Sequence, residues 1–197
     1  LYRIFNYLGI IQRLEVEKMD EEGFDVIMFK NDDEVYPYGM GYQKFSQIMY
    51  EKFPLDILAI DKYCKDLKRI CNNFPLYNLK KEEDYDDKTV FVHGVKQYLD
   101  SLTENITLRN VLAGNNLLYA GQADKTPLYI HALIENSYIE GAFKIRNGGD
   151  QIAKLLARNI KKSGGDILRK AKVQSVHTEN GMVDYVQLDT CLLYTSD

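Results

Sequence analysis

A helix framed by two glycine pairs constrains this chain more than any other feature. Gly148-Gly149 closes the run Gly141-Ala-Phe-Lys-Ile-Arg-Asn-Gly-Gly, and Gly164-Gly165 opens the run Gly-Gly-Asp-Ile-Leu. Glycine takes positive φ without a Cβ clash, so each pair lets the chain turn sharply. Between them Ile152, Leu155, Leu156 and Ile160 recur at helical spacing, with Lys154, Arg158, Lys161 and Lys162 largely on other faces. Asp150 suits the helix start, the two terminal lysines suit the negative end of the helix dipole, and Gly164 is a natural stop. The spacing then predicts a strand over Asp166–Ala171, and two more over Val173–Thr178 and Met182–Leu188. The last two are joined at Asn180-Gly181, a strong two-residue hairpin signal. Glycine pairs around a helix are common as plain caps. The combination with Val173-x-x-Val176 and the hairpin is more specific.

The first half reads as helices with one hairpin. Leu1 to about Leu14 is predicted helical. Phe24–Phe29 and Glu34–Tyr36 form a predicted hairpin around Asn31-Asp32-Asp33. A helix is predicted over Tyr42–Phe53, stopped by Pro54, and another over Asp56–Asn72 with Ile57, Ile60, Cys64, Leu67 and Cys71 on one stripe. The run Lys80–Lys88 mixes both charges and reads as a solvated loop. Val95, Tyr98, Leu99 and Leu102 form a further helical stripe, and a short helix over Leu108–Ala113 ends at Gly114. Thr126-Pro127 has the form of a helix start, threonine as N-cap and proline in the first position. The helix that follows, to about Tyr138, is apolar nearly all round and so is expected to be buried. His131 and Glu135 lie one turn apart on it. They read either as a core histidine bonded to its i+4 carboxylate, or as polar groups lining a substrate cavity with His131 as proton donor.

With 197 residues, 45% of them hydrophobic, the chain can bury a real core. Its net charge of −4 and lack of a dense basic patch argue against a nucleic-acid partner. No apolar run has the length to span a bilayer. Cys64 and Cys71 are seven residues apart on a predicted helix, ~10 Å by rise, beyond disulfide reach. His93, His131 and His177 show no metal-ligand spacing, so no metal is expected.

The glycine-framed block resembles the carotenoid and retinoid branch of the FAD-dependent amine oxidase-like flavoproteins: phytoene desaturases, carotenoid isomerases and retinol saturase-like proteins. The likeness runs from His131-Ala-Leu-Ile-Glu-Asn-Ser-Tyr through Arg146-Asn-Gly-Gly and Gly164-Gly165 to Ala171-Lys-Val-Gln-Ser-Val. The stretch Leu112–Tyr119 through Asp124-Lys-Thr-Pro127 also looks like bacterial members. Family members commonly carry proline shortly before the first glycine pair, where this chain has Arg146-Asn147. The resemblance implies an α/β fold, in which an α+β substrate domain joins part of a Rossmann-like FAD-binding domain. Residues 1–145 would form the substrate domain and 146–189 the return into the FAD domain. It implies FAD as cofactor, with NAD(P)H as a candidate electron donor. Val173 is expected to contact the adenine end of FAD through its backbone, and Gly148 and Gly149 to lie near the cofactor as a structural turn. His131 is the candidate catalytic residue.

The Gly-x-Gly-x-x-Gly loop that grips the pyrophosphate does not occur in the sequence. The chain is therefore expected to be a fragment, inactive by itself, with that loop upstream. Residues 190–197 resemble translated adapter sequence and are expected to be non-native. The implied activity of the intact enzyme is oxidoreduction at carbon-carbon double bonds of an apolar polyene or lipid-like substrate, as saturase or desaturase. A cytoplasmic location, or peripheral contact with a membrane, would suit such a substrate. The alternatives are an amine-oxidising flavoenzyme of the same fold and a non-catalytic lipid-binding protein on a decayed flavoprotein scaffold.

Overall fold

The computed structural model describes residues 2–30, 33–80, 94–189 and 193–195, the last three as backbone only. Residues 81–88 of the mixed charge run, His93 and Cys191 lie outside the described residues. The chain divides into two units. One comprises Glu15–Arg146; the other joins Leu1–Leu14 to Asn147–Asp197.

In the larger unit, β1 (Val16–Lys18) pairs antiparallel with β4 (Phe143–Ile145), Val16 opposite Ile145. β2 (Asp25–Met28) and β3 (Val35–Tyr38) form the expected hairpin, with Ile27 opposite Tyr36. Among the described residues the helices that follow or interleave are α2 (Tyr42–Lys52), α3 (Ile57–Asn73), α4 (Val95–Leu102), α5 (Ile106–Leu112) and α6 (Leu128–Glu140). α3 buries Ile60, Tyr63, Cys64, Leu67, Ile70 and Cys71 along one face. That is the expected stripe, except that Ile57 stays exposed at its start. This face packs on α2, α4 and α6 in one core with Tyr38, Phe45, Met49, Leu99, Leu108 and Ala132. Cys64 and Cys71 are free, buried thiols, as the helical spacing requires.

Two local expectations fail here. Thr126 does not cap α6: its hydroxyl accepts the Gln122 N–H (2.7 Å) and its carbonyl accepts the Val95 N–H (2.9 Å). Pro127 takes the cap position instead, at φ −67° and ψ 144°. The short helix α5 is capped by Asn105, whose side chain accepts from the Leu108 N–H.

In the smaller unit α1 spans only Tyr2–Tyr7, because Gly9 sits at φ 67° and ends it, and a 3-10 turn covers Ile11–Arg13. Ile10 and Leu14 pack on Leu155 of α7 (Asp150–Lys162). The turn before α7 has Asn147 at φ 59° and Gly148 at φ 101°. A proline could not take the φ of Asn147. α7 ends in a Schellman motif. The Gly165 N–H reaches the Ile160 carbonyl (3.0 Å) and the Gly164 N–H reaches that of Lys161 (3.1 Å), with Gly164 at φ 85°.

The strand expected over Asp166–Ala171 is absent; these residues are irregular. The hairpin follows as expected: β5 (Val173–Glu179) and β6 (Met182–Leu188) are joined by Asn180 at φ 52° and Gly181 at φ 79°, the two positive values a type I′ turn needs. β7 (Leu193–Thr195) adds to the far edge of β6. The fold is thus mixed α/β, but every strand pairing among the described residues is antiparallel. The parallel Rossmann-like sheet does not occur among them.

Leu67 is completely buried at the centre of α3. Leu67→Ala is expected to cost about 2–5 kcal/mol of stability, read from urea unfolding followed by helical circular dichroism.

Candidate functional site

α6 is apolar on average, yet it buries four polar or charged-type positions with their neighbours: His131, Glu135 and Asn136 on the helix, and Asn115 beside it. Buried polar groups must find partners, and tyrosines supply most of them. Tyr63 of α3 meets His131 Nε2 at 2.9 Å. Tyr119 Oη and Asn116 Oδ1 meet His131 Nδ1 at 3.2 and 3.1 Å. The Tyr42 hydroxyl donates to Asn136 Oδ1 (2.6 Å), and Asn136 Nδ2 donates to Tyr77 Oη (2.9 Å).

This pattern fixes the histidine tautomer. An amide oxygen only accepts, so the proton lies on Nδ1. The Tyr119 hydroxyl spends its own hydrogen on Asn116 Oδ1, which leaves its oxygen free to share the Nδ1–H. Nε2 is then bare and accepts the Tyr63 O–H. Burial holds the imidazole neutral, pushing its pKa down to about 3.

Glu135 does not bond His131, contrary to the i+4 pairing weighed from sequence. Its Oε2 accepts from Asn115 Nδ2 at 3.3 Å, and its Oε1 has no hydrogen-bond partner. Burial, with Asn115 opposing and Asp25 adding a little, pushes its pKa up to about 8, so at neutral pH it carries its proton. Tyr119 is half-buried and also lines a surface cleft of about 400 Å³ with Gly121, Gln122, Lys125, Pro127 and Ile130. A continuous hydrogen-bonded path therefore runs from the cleft through Tyr119 and His131 to Tyr63.

The other three sequence candidates, Gly148, Gly149 and Val173, belong to the smaller unit, so His131 lies in a different unit from them. Val173 opens β5 opposite Leu188 and is 52% exposed. The Asp189 N–H donates to the Lys172 carbonyl (3.0 Å), flanking the Val173–Leu188 pair. That makes the pair the non-hydrogen-bonded kind. The N–H and C=O of Val173 itself therefore face the outer edge of β5, where no strand pairs among the described residues. A Cβ built on Gly149 would meet nothing within 4 Å. Asn115, Asn116, Tyr63 and Tyr119 were not singled out from sequence. Asn115, Asn116 and Tyr119 share one turn, far in sequence from Tyr63, and only the packing of α3 and that turn on α6 brings them together.

No family model matches the chain. It is similar to the all-trans-retinol 13,14-reductases of Macaca fascicularis (29% identical), Homo sapiens (28%) and Rattus norvegicus (27%), each over 171 residues. Each match covers 78% of this chain and 28% of the relative, so the chain spans well under a third of the length of the curated relatives it matches. The chain is a distant homologue of these reductases, which bears out the resemblance to the phytoene desaturase and retinol saturase branch.

The two buried groups give the stability a pH profile with two limbs. As pH falls from 6.5 toward 3, unfolded His131 binds a proton that the native state refuses, so stability drops. As pH rises from 4.5 toward 8, unfolded Glu135 releases a proton that the native state keeps, so stability again drops. Between 4.5 and 6.5 the slopes oppose. Glu135→Gln is expected to remove the fall between pH 6.5 and 8, up to about 2 kcal/mol, in unfolding curves taken at each pH. The same fall in the variant would show that Glu135 ionises freely.

Proposed function

We propose that this chain is part of a flavin-dependent oxidoreductase acting on carbon-carbon double bonds of an apolar polyene of retinoid or carotenoid type. The distant homology to all-trans-retinol 13,14-reductases carries the reading. The reaction in their name favours double-bond reduction over desaturation. No helix among the described residues is long and apolar enough to cross a membrane.

FAD is the cofactor this reading requires, with NAD(P)H as the donor of its electrons. The residues present fit one end of it. Val173 offers an outward N–H beside an outward C=O, the donor-and-acceptor pair that the edge of an adenine ring needs. Gly148 and Gly149 keep the turn before α7 free of side chains. When bound, the reduced flavin would supply a hydride to one carbon of the double bond.

Saturating the bond also takes a proton at the other carbon. His131 enters here as the group that holds Tyr119. Burial keeps it from being an imidazolium acid. The Tyr119 hydroxyl, at the cleft, would give its proton to that carbon, and the Nδ1–H of His131 would stabilise the phenolate left behind. Water in the cleft would then return a proton to Tyr119.

The adenine contact is tested by titrating the isotope-labelled chain with FAD, ADP and FMN and following the Val173 amide by NMR. FAD and ADP are expected to shift it, and FMN, which lacks adenine, to leave it in place. An equal shift with FMN, or shifts with FAD and ADP that move other amides and spare Val173, would remove Val173 from the cofactor site.

A further inference from the structure

The start of α3 exposes aliphatic side chains that the core does not use. Leu55 is 98% exposed, Leu58 84% and Ile57 41%. The start of α5 is tied to the same place. The Asp56 carboxylate accepts from the Thr103 hydroxyl and from Asn105 Nδ2 (2.8 Å), and the next residue, Ile106, is 65% exposed. Two helix starts thus form one protruding aliphatic tip. Single exposed apolar residues need no explanation, but a contiguous group does.

Charge is arranged around this tip. Lys62, Lys65 and Arg69 follow Leu58 at helical spacing and are all exposed, so they continue its stripe along α3. α3 carries four basic residues against two acidic ones, Asp61 and Asp66, in a chain whose net charge is −4. Lys65 makes no ion pair among the described residues. The apolar face of α3 is taken up by the core, so what this tip offers is aliphatic side chains beside cations that an anionic headgroup layer attracts. The near-complete exposure of Leu55 and Leu58 means they stand out from the surface, which suits entry into a soft headgroup layer.

We propose that the tip of Leu55, Leu58 and Ile106 docks on an anionic lipid bilayer, with the aliphatic side chains entering the headgroup-acyl boundary and Lys62 and Lys65 lying against lipid phosphates. This stands on the surface of the larger unit and does not depend on the flavin reading.

The test is co-sedimentation of the full chain with vesicles of phosphatidylcholine, and of phosphatidylcholine mixed with phosphatidylserine. Binding is expected to the mixed vesicles and to weaken as salt rises. The double variant Leu55→Ser/Leu58→Ser is expected to bind about tenfold or more weakly. Lys65→Gln is expected to bind mixed vesicles about fivefold more weakly. All these side chains are exposed, so helical circular dichroism should be unchanged. No binding to mixed vesicles would overturn the proposal, as would full binding by the leucine variant or equal binding to both vesicle types. So would concentration-dependent self-association without lipid binding that the leucine variant abolishes, because the tip would then belong to a second copy. The Val173 titration is independent of each of these results.

Discussion

The larger unit is organised by the need to satisfy a polar row on a helix that is otherwise apolar. α6 enters the core with His131, Glu135 and Asn136 buried on it. An unpartnered buried polar group costs about 1–3 kcal/mol, so the elements packed around α6 must bring donors and acceptors as well as apolar surface. Tyrosine does both. The chain has 15 tyrosines and no tryptophan, and Tyr42, Tyr63, Tyr77 and Tyr119 each place a hydroxyl on one of these groups or on a partner of one. The aromatic excess therefore serves the interior of this unit at these positions. Tyr38 shows the same economy, its ring buried and its hydroxyl on the Val111 carbonyl.

Within that network Glu135 stands apart. His131 is fully partnered, with two acceptors for its one proton and a donor for its bare nitrogen. Glu135 has one long bond from Asn115 and a bare oxygen. The difference explains why the sequence pairing of His131 with Glu135 is not realised. An i+4 bond would have neutralised one demand by the other. Instead the tyrosines take the histidine, and the carboxyl group meets its own burial by keeping a proton.

Much of this was legible in the chain itself, because periodicity reports directly on burial. The stripe of α3, the helix between the glycine pairs and the hairpins at residues 25–38 and 173–188 all follow from it. What failed depended on competition between partners. Thr126 has the right hydroxyl for a cap, but Gln122 claims it first. Asp166–Ala171 has the composition of a short strand, yet Lys170 sits at φ 57° and no strand among the described residues pairs with the segment. Pairing with β6 begins only at Val173. The site was legible only in part: His131 was marked by residue type on an apolar helix, whereas the Asn115–Tyr119 turn carried no spacing signal before folding set it beside α6.

α3 shows how one helix can carry two duties without compromise. Its inner face, through Tyr63, donates to the bare Nε2 of His131; its outer face, through Leu58 and Lys65, makes no contribution to that network. A period of 3.6 residues separates the two sets by roughly opposite directions on the helix. Change on one face should leave the other intact, since non-adjacent sites with no shared partners behave nearly additively. Lys62 is the one point of contact, because its ammonium lies over the Tyr98 ring, which itself packs near Tyr63. Lys65 has no such tie, which makes it the cleaner probe of what the outer face does.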